Sequence, residues 1–187
     1  MDALRAAADV TLREHLLIER ASGYPAPVSA LPDKLGAISA AAAVFRRNLV
    51  PYALIGGLAV GIRSGVPRAT LDVDFAIPTT VDRRSLTATL EEHGFHLKGE
   101  FAHSINFEHT SGEPVQLAFD AAFDPIIERA EALQFGELEL YVVTKDDLIA
   151  MKRRAAADPT RRRSKALRDQ ADIALLEGDV PGPNEGW

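Results

Sequence analysis

Two carboxylates two positions apart, Asp72 and Asp74, are the side chains of this sequence best placed to do chemistry. In the run Leu71-Asp72-Val73-Asp74-Phe75-Ala76-Ile77, large apolar residues alternate with Asp72, Asp74 and Ala76. That is the period of a half-buried strand, so both acids share one face. A same-face pair of carboxylates can chelate a divalent cation, which takes oxygen ligands. Ahead of it, Ile55-Gly56-Gly57-Leu58 closes a short apolar run. The glycine pair reads in two ways: a tight strand-to-helix turn with close packing, or a turn that exposes backbone N–H groups to phosphate oxygens at a helix N-terminus. An isolated Asp-x-Asp reads first as solvated acids on an exposed sheet face. Taken together, the two motifs mean more, because the acidic strand can lie beside the glycine turn and a metal-bound triphosphate can bridge them.

The elements that must position these residues follow from periodicity and punctuation. Residues 2–20 carry apolar side chains at helical spacing among charges, and the Pro- and Gly-containing stretch 22–32 separates that amphipathic helix from the rest. A helix is expected over residues 34–48, then a buried strand over 52–55 after Pro51, and a short helix to Ser64 whose first turn opens at the glycines. Asp82 caps a helix over residues 83–93, which Gly94 stops. Strands follow over 95–98, 105–109 and 115–119, with Ser111-Gly112 turning the last two into a hairpin. Asp124-Pro125 starts a short helix, and Phe135-Gly136-Glu137 turns a second hairpin into residues 138–143. Thr144 to Asp147 has the form of a capping sequence, with Val143 and Leu148 as a hydrophobic staple, for a helix to about residue 157. A last helix covers 163–177. The expectation is an α+β (mixed α/β) fold with a small mixed sheet covered on one side. Three parts are expected: an N-terminal helix and linker over 1–33, a main domain over 34–178, and a loose Pro/Gly tail over 179–187.

Bulk composition narrows the function classes. The chain has 187 residues, 47% hydrophobic and 26% charged, ordinary for one globular core. A net charge of −6 argues against a general nucleic-acid coat, yet residues 152–168 hold eight of the 21 Lys and Arg residues, a local site for an anion. The absence of cysteine excludes disulfide scaffolds and thiolate metal sites. Charges at Asp2, Arg5, Asp9, Arg13 and Glu14 interrupt any signal-peptide core, and no apolar run reaches the roughly 20 residues of a membrane span. A cytoplasmic protein is expected. Five histidines without an i, i+4 pair give no zinc signature, and His103 and His109 are read as structural or surface residues. Arg161-Arg162-Arg163 reads as a solvated loop, with guidance of a tRNA or another anionic acceptor as the alternative.

The order hydrophobic-Gly-Gly, spacer, Asp-x-Asp resembles the nucleotidyltransferase superfamily related to DNA polymerase β. The form Arg68-x-Thr70-x-Asp72-x-Asp74 is similar to the branch containing AbiEii-type toxins of abortive-infection and toxin–antitoxin systems. The resemblance continues through Asp147-Leu148-Ile149-Ala150-Met151-Lys152 and Arg168-Asp169-Gln170-Ala171-Asp172-Ile173, and spans about residues 38–177. It implies a nucleotidyltransferase fold and transfer of a nucleoside monophosphate from an NTP to an RNA, protein or small-molecule acceptor. Mg²⁺ or Mn²⁺ would be held by Asp72 and Asp74, with Gly56 and Gly57 cradling phosphates. Arg68 or Lys152 would offset pyrophosphate charge; Thr70 and Asp172 fall among the nucleotide-binding positions and Asp169 among the catalytic ones. A cognate antitoxin is the partner this branch implies; a homo-oligomer stays open and a membrane is not expected. One departure stands out. The third carboxylate of two-metal members falls in a context matching Val115-Gln116-Leu117, where this chain has a neutral amide. Asp120 shares its strand parity but lies about 13 Å further on at strand rise. Either Asp120 substitutes as a metal ligand, or the second metal site is weak or absent, and a catalytically weakened nucleotide- or partner-binding protein is the alternative function.

Overall fold

A computed structural model describes residues 4–6, 9, 33–180 and 182. Most of the expected N-terminal helix and linker, and most of the tail, lie outside the described residues. Residues 4–6 and 9 are helical, and Leu4 is buried in the same hydrophobic core as the rest of the chain.

Seven strands make one mixed sheet. In chain order the elements are α1 (Lys34–Arg47), β1 (Ala53–Ile55), α2 (Gly56–Ser64), β2 (Val73–Ala76), α3 (Arg83–Glu92), β3 (Phe95–Phe101), β4 (Ser104–His109) and β5 (Pro114–Ala118). A short 3₁₀ turn, Ala121–Phe123, then leads to α4 (Asp124–Glu128), β6 (Glu131–Phe135), β7 (Leu138–Val142), α5 (Lys145–Ala157) and α6 (Arg163–Glu177). The spatial order is β3-β4-β5-β2-β1-β7-β6. β2 runs parallel to β5 and antiparallel to β1, which in turn is parallel to β7. β1 and β2 are therefore central strands, and the motifs they carry sit in the middle of the sheet.

Alternation along β2 decides what each face holds. Val73 and Phe75 are fully buried on the core side, where Phe75 meets Phe45 of α1 and Tyr52 in edge-on ring contacts at 5.2 and 5.6 Å. Asp74 faces the other way. Helices flank the mixed sheet as expected, though on both faces and not one: α1 lies under the Phe75 face, while α2 and the C-terminal pair α5 and α6 pack together over the carboxylate face at its β1–β2 end. Toward β5 and β4 the side chains of that face, Gln116, Asn106 and Glu108, are partly exposed. β3 also runs on past the expected stop at residue 98, because a register shift between Leu97 and Gly99 absorbs one residue and lets pairing with β4 resume to Phe101.

The helix starts are those that local chemistry favours. Asp33 caps α1, its Oδ1 accepting from Gly36 N at 2.8 Å, and Asp82 caps α3. At α5, Thr144 Oγ1 accepts from Asp147 N at 3.2 Å while Val143 and Leu148 are buried on either side of the cap. Arg129 grips Asp147 with two bonds of 3.1 and 2.7 Å, holding that carboxyl below its ordinary range. Arg63, near the end of α2, donates to the carbonyls of Val142 and Val143 and to Glu131, which locks α2 against β7 and β6.

Among the described residues, one ion pair has both of its side chains buried. Lys34, the first residue of α1, forms an ion pair with Glu113 in the β4–β5 turn, and each side chain is only 3% exposed. Burial pushes the Glu113 carboxyl up while the Lys34 ammonium pulls it back down. Breaking a buried pair from one side leaves an uncompensated charge, so Lys34→Met is expected to cost about 3–5 kcal/mol of stability. The double change Lys34→Met/Glu113→Leu is expected to recover most of it; urea unfolding midpoints of the two variants check both outcomes.

Candidate functional site

The glycine turn and the acidic strand meet with no spare room. Ile55, the last residue of β1, pairs with Asp74, so the chain enters Gly56 directly beside that carboxylate. Gly56 has φ of 71°, a left-handed conformation that L side chains rarely adopt, and a Cβ there would run into the Asp74 carboxylate. Gly57 is constrained by space alone: a Cβ would meet Arg68 Nη1 and lie 2.8 Å from both Cβ and Oγ1 of Thr70. Both glycines are thus needed so that the backbone can carry Asp74 on one side and the Arg68–Thr70 segment on the other. Helix α2 starts at Gly56, and its N-cap residue, Ile55, offers no side-chain hydrogen bond. The first N–H groups of that helix therefore face the cleft without a side-chain acceptor, an arrangement suited to phosphate oxygens.

Asp72 and Asp74 fit a hard divalent cation. Thr70 Oγ1 lies 3.3 Å from Asp72 Oδ1, within donating range, and so orients that carboxylate. Burial first, and then the neighbouring Asp72 charge, push Asp74 up to about 7, against Lys152, Lys34 and Lys165, which pull it down. Two carboxylates this close repel in the absence of a cation between them. Their next neighbour in the sheet is Gln116, the register partner of Asp74 on β5, and Gln116 Nε2 donates to Asn106 Oδ1 on β4 at 3.0 Å. The amide oxygen of Gln116 remains as an acceptor. Two carboxylates plus one neutral oxygen suit one magnesium-like ion that keeps waters or substrate oxygens in its other positions. Among the described residues no group of three His, Cys, Asp or Glu side chains is arranged to hold a metal.

Asp120 does not join this group. It lies past the end of β5, four positions beyond Gln116, and its Oδ1 accepts from Ala122 N at 2.9 Å as the cap of the 3₁₀ turn. No bulge in the β2–β5 pairing brings it back, since the register runs unbroken from Val73↔Val115 to Ala76↔Ala118.

The cationic side is built from three segments. Asp169 and Asp172, one helical turn apart on α6, are 2% and 1% exposed. Lys152 of α5 reaches both, with Nζ 2.9 Å from Asp169 Oδ1 and 2.8 Å from Asp172 Oδ2. Arg68 Nε lies 2.5 Å from Asp172 Oδ1, and Arg161 Nε 2.5 Å from Asp169 Oδ2. Every carboxylate oxygen of the pair thus lies near a cation, with Asp172 Oδ2 receiving the Lys152 charge but no aligned hydrogen bond. Three cations on two acids leave a surplus of one positive charge, and both Arg68 and Lys152 are mostly covered. Asp169, expected as a catalytic residue, has neither oxygen free for a substrate here; with Asp172 it forms a mount that fixes Lys152 and Arg68. Arg161 is the member that sequence reasoning missed. Its setting in Arg161-Arg162-Arg163 reads as a solvated run, and the signal for its role is proximity to the acids of α6 across a short loop.

His103 and His109 stay outside the site. His103 supplies its carbonyl to Phe119 N in the β3–β4 turn. His109 stacks on Phe95 at 4.9 Å and bonds Ser111 through Nδ1, and burial lowers its pKa.

Comparison with known proteins places the chain in a family and gives structures of similar fold. A family model described as nucleotidyl transferase AbiEii toxin, type IV TA system, matches residues 41–184. A search of curated proteins gave no match. Among solved structures, lincosamide antibiotic adenylyltransferase LnuA, bound to lincomycin, is similar at a TM-score of 0.52 and 14% identity, over 74% of this chain and 92% of that one. ANT(2")-Ia in complex with adenylyl-2"-tobramycin is similar at 0.54 and 21%, over 78% and 90%. An antigenic nucleotidyltransferase-like protein from Paracoccidioides brasiliensis is similar at 0.54 and 22%, over 82% and 80%. At these identities the structural likeness is one of fold.

The raised Asp74 carboxyl has a measurable sign. A group that binds its proton more tightly when folded adds stability below its unfolded pKa, and this is lost as pH rises through the folded value. For Asp74 the loss runs from about pH 4 to about pH 7. Asp74→Asn is accordingly expected to raise the metal-free melting temperature at pH 8 by on the order of 5 °C, and to leave it unchanged near pH 4. Thermal unfolding of both proteins across that range checks the sign.

Proposed function

Because this chain belongs to the AbiEii nucleotidyl transferase family, whose model covers most of its length, we propose that it moves a nucleoside monophosphate from an NTP to a hydroxyl-bearing acceptor, with Mg²⁺ or Mn²⁺ at Asp72 and Asp74. The observation that carries the reading is the convergence of three features in one cleft: an N-terminus of α2 without a side-chain cap, a crowded aspartate pair, and a mounted Lys152 and Arg68. Each answers a different part of a metal–triphosphate.

The chain's own residues divide the work. Backbone N–H groups at Gly56 and Gly57 hold phosphate oxygens of the NTP and orient the chain of phosphates along α2. Arg68 and Lys152 offset charge that builds on pyrophosphate as it leaves, the arginine through its planar fork and the lysine as a compact charge. Asp169 and Asp172 keep those cations in place, and Arg161 completes the neutralisation of Asp169. Thr70 orients Asp72. When bound, the divalent cation supplies neutralisation of the triphosphate and stabilises charge developing during displacement. The acceptor oxygen bonds to the α-phosphorus, the bond from that phosphorus to the bridging oxygen breaks, and pyrophosphate carries away the electron pair.

The family's description as a toxin of a type IV toxin–antitoxin system supports a toxin role for this chain, with a cognate antitoxin as partner and tRNA or a cellular protein as acceptor. Small hydroxylated antibiotics are a further acceptor class, since two of the similar structures hold lincomycin and adenylyl-2"-tobramycin. Gln116 in place of a third acid favours a second reading, a nucleotide-binding relative with weak turnover. No described helix is long and apolar enough to cross a membrane. The test is labelling with [α-³²P]NTP and Mg²⁺ against tRNA, total protein and small polyhydroxyl compounds. Transfer by the wild type is expected, with a loss of at least about a hundredfold in Asp72→Ala/Asp74→Ala. Binding of the nucleotide without transfer to any acceptor would select the second reading.

A further inference from the structure

The carboxylate face does not end at the aspartates. Register carries it across three strands in two rows. One row runs from Asp74 to Gln116 to Asn106. The other runs from Asp72, just before β2, past Pro114, which follows from the Val73↔Val115 pairing, to Glu108, the partner of Pro114 on β4. Side chains in register on neighbouring strands point to the same side, so Asp72, Asp74, Gln116, Asn106 and Glu108 line one surface. Over it lies a cavity of about 240 Å³, bounded by Asp72, Gln116, Asn106, Glu108 and Lys98. Lys98 comes from the bulge in β3, and its Nζ lies 3.3 Å from Glu108 Oε2.

This cavity has properties that the nucleotide side lacks. Its floor is a neutral amide pair, Gln116 and Asn106, bonded to each other, which can still offer polar groups to a hydroxylated molecule. Its far wall holds a half-exposed carboxylate with no buried cation to consume it. Pro114, between Asp72 and Glu108, presents a ring and leaves the space between the two acids unfilled. Two strand spacings separate the backbones of β2 and β4, about 10 Å, which leaves room for one hydroxyl-bearing group between the acids. A transferase needs a group to remove the proton from its attacking hydroxyl, and Gln116, lacking a titratable oxygen, cannot serve.

We propose that this cavity seats the acceptor and that Glu108 is the catalytic residue that takes the proton from its hydroxyl. The inference rests on the transferase reading above. The acceptor's O–H proton passes to a Glu108 carboxylate oxygen, its oxygen bonds to the α-phosphorus, and pyrophosphate leaves. The protonated Glu108 then returns its proton to solvent through the open side of the cavity. Lys98 acts beside it as a positioning residue, keeping the carboxylate turned into the cavity.

Three measurements on Glu108 variants test this. Calorimetric titration of Mg²⁺ with an α,β-methylene NTP analogue is expected to give Glu108→Gln the affinity of the wild type within about twofold, because Glu108 lies off the nucleotide side. Transfer from [α-³²P]NTP to the acceptor that the wild type labels is expected to fall about a hundredfold or more in kcat. Added formate is expected to restore part of the transfer in Glu108→Ala, as a diffusible carboxylate in the vacated space. Transfer by Glu108→Gln at the wild-type rate would overturn the assignment while leaving the transferase reading intact. So would an equal loss of nucleotide affinity and of transfer, or a Glu108→Ala that formate does not rescue. A wild type that binds the analogue and labels nothing would remove both.

Discussion

Close approach without a Cβ is the constraint on which the rest of the molecule depends. Asp74 can sit in the centre of the sheet beside the turn from β1 into α2 only because Gly56 adopts a left-handed backbone and carries no side chain. Gly57 repeats the condition one residue later for Arg68 and Thr70. From these two positions follow the direction in which α2 leaves the sheet and the side of the sheet on which α5 and α6 must pack. The arrangement is expensive in electrostatic terms, since Asp74 is crowded by Asp72 in a poorly solvated place. Apolar packing on the opposite face, through Phe75, Phe45 and Tyr52, supplies compensating stability. A fold that carries such a site has to be held firmly from behind.

Charge is distributed in two tiers. Near the aspartates it is unbalanced on the negative side, and the Lys152 and Arg68 cluster held on α6 is unbalanced on the positive side. A ligand carrying both a cation and several anionic groups matches this field, whereas a simple anion or a simple cation matches only half of it. That division is sharper evidence of ligand class than either cluster alone. It also explains how an acidic chain presents a site for a highly charged anion: the basic residues of the C-terminal part are concentrated where the sheet is roofed.

Local elements were legible in the sequence where short-range chemistry decides them. Caps at Asp82 and Thr144, the turn at Ser111-Gly112, and the alternation of residues 71–77 each state their own outcome. The glycine turn and acidic strand were legible as a pair, and so were Lys152, Asp169 and Asp172 as companions. What stayed hidden depends on long-range pairing. Nothing local says that β3 continues through a bulge, that Lys34 and Glu113 meet in the core, or that Arg161 turns inward instead of facing water. Glu108 and Asn106 look like ordinary polar positions of a half-exposed strand, and only the strand order shows that they share a surface with Asp72 and Asp74. For Asp120 the sequence offers both parity with Gln116 and a separation of about 13 Å along the strand, and the cap it makes with Ala122 N agrees with the separation.

The bond between Arg68 and Asp172 joins a loop in the first half of the chain to its last helix. During synthesis the glycine turn and the aspartates leave the ribosome well before α6 exists, so for that interval Arg68 and Lys152 lack the carboxylates that set them. Closing so long a loop adds little entropic cost beyond that of a shorter one, because the penalty grows only with the logarithm of length. The delay is therefore one of timing more than of stability. A nascent chain holds the acidic half of its site early and gains the basic half at the end, which makes the docking of one C-terminal helix the moment at which the molecule becomes complete.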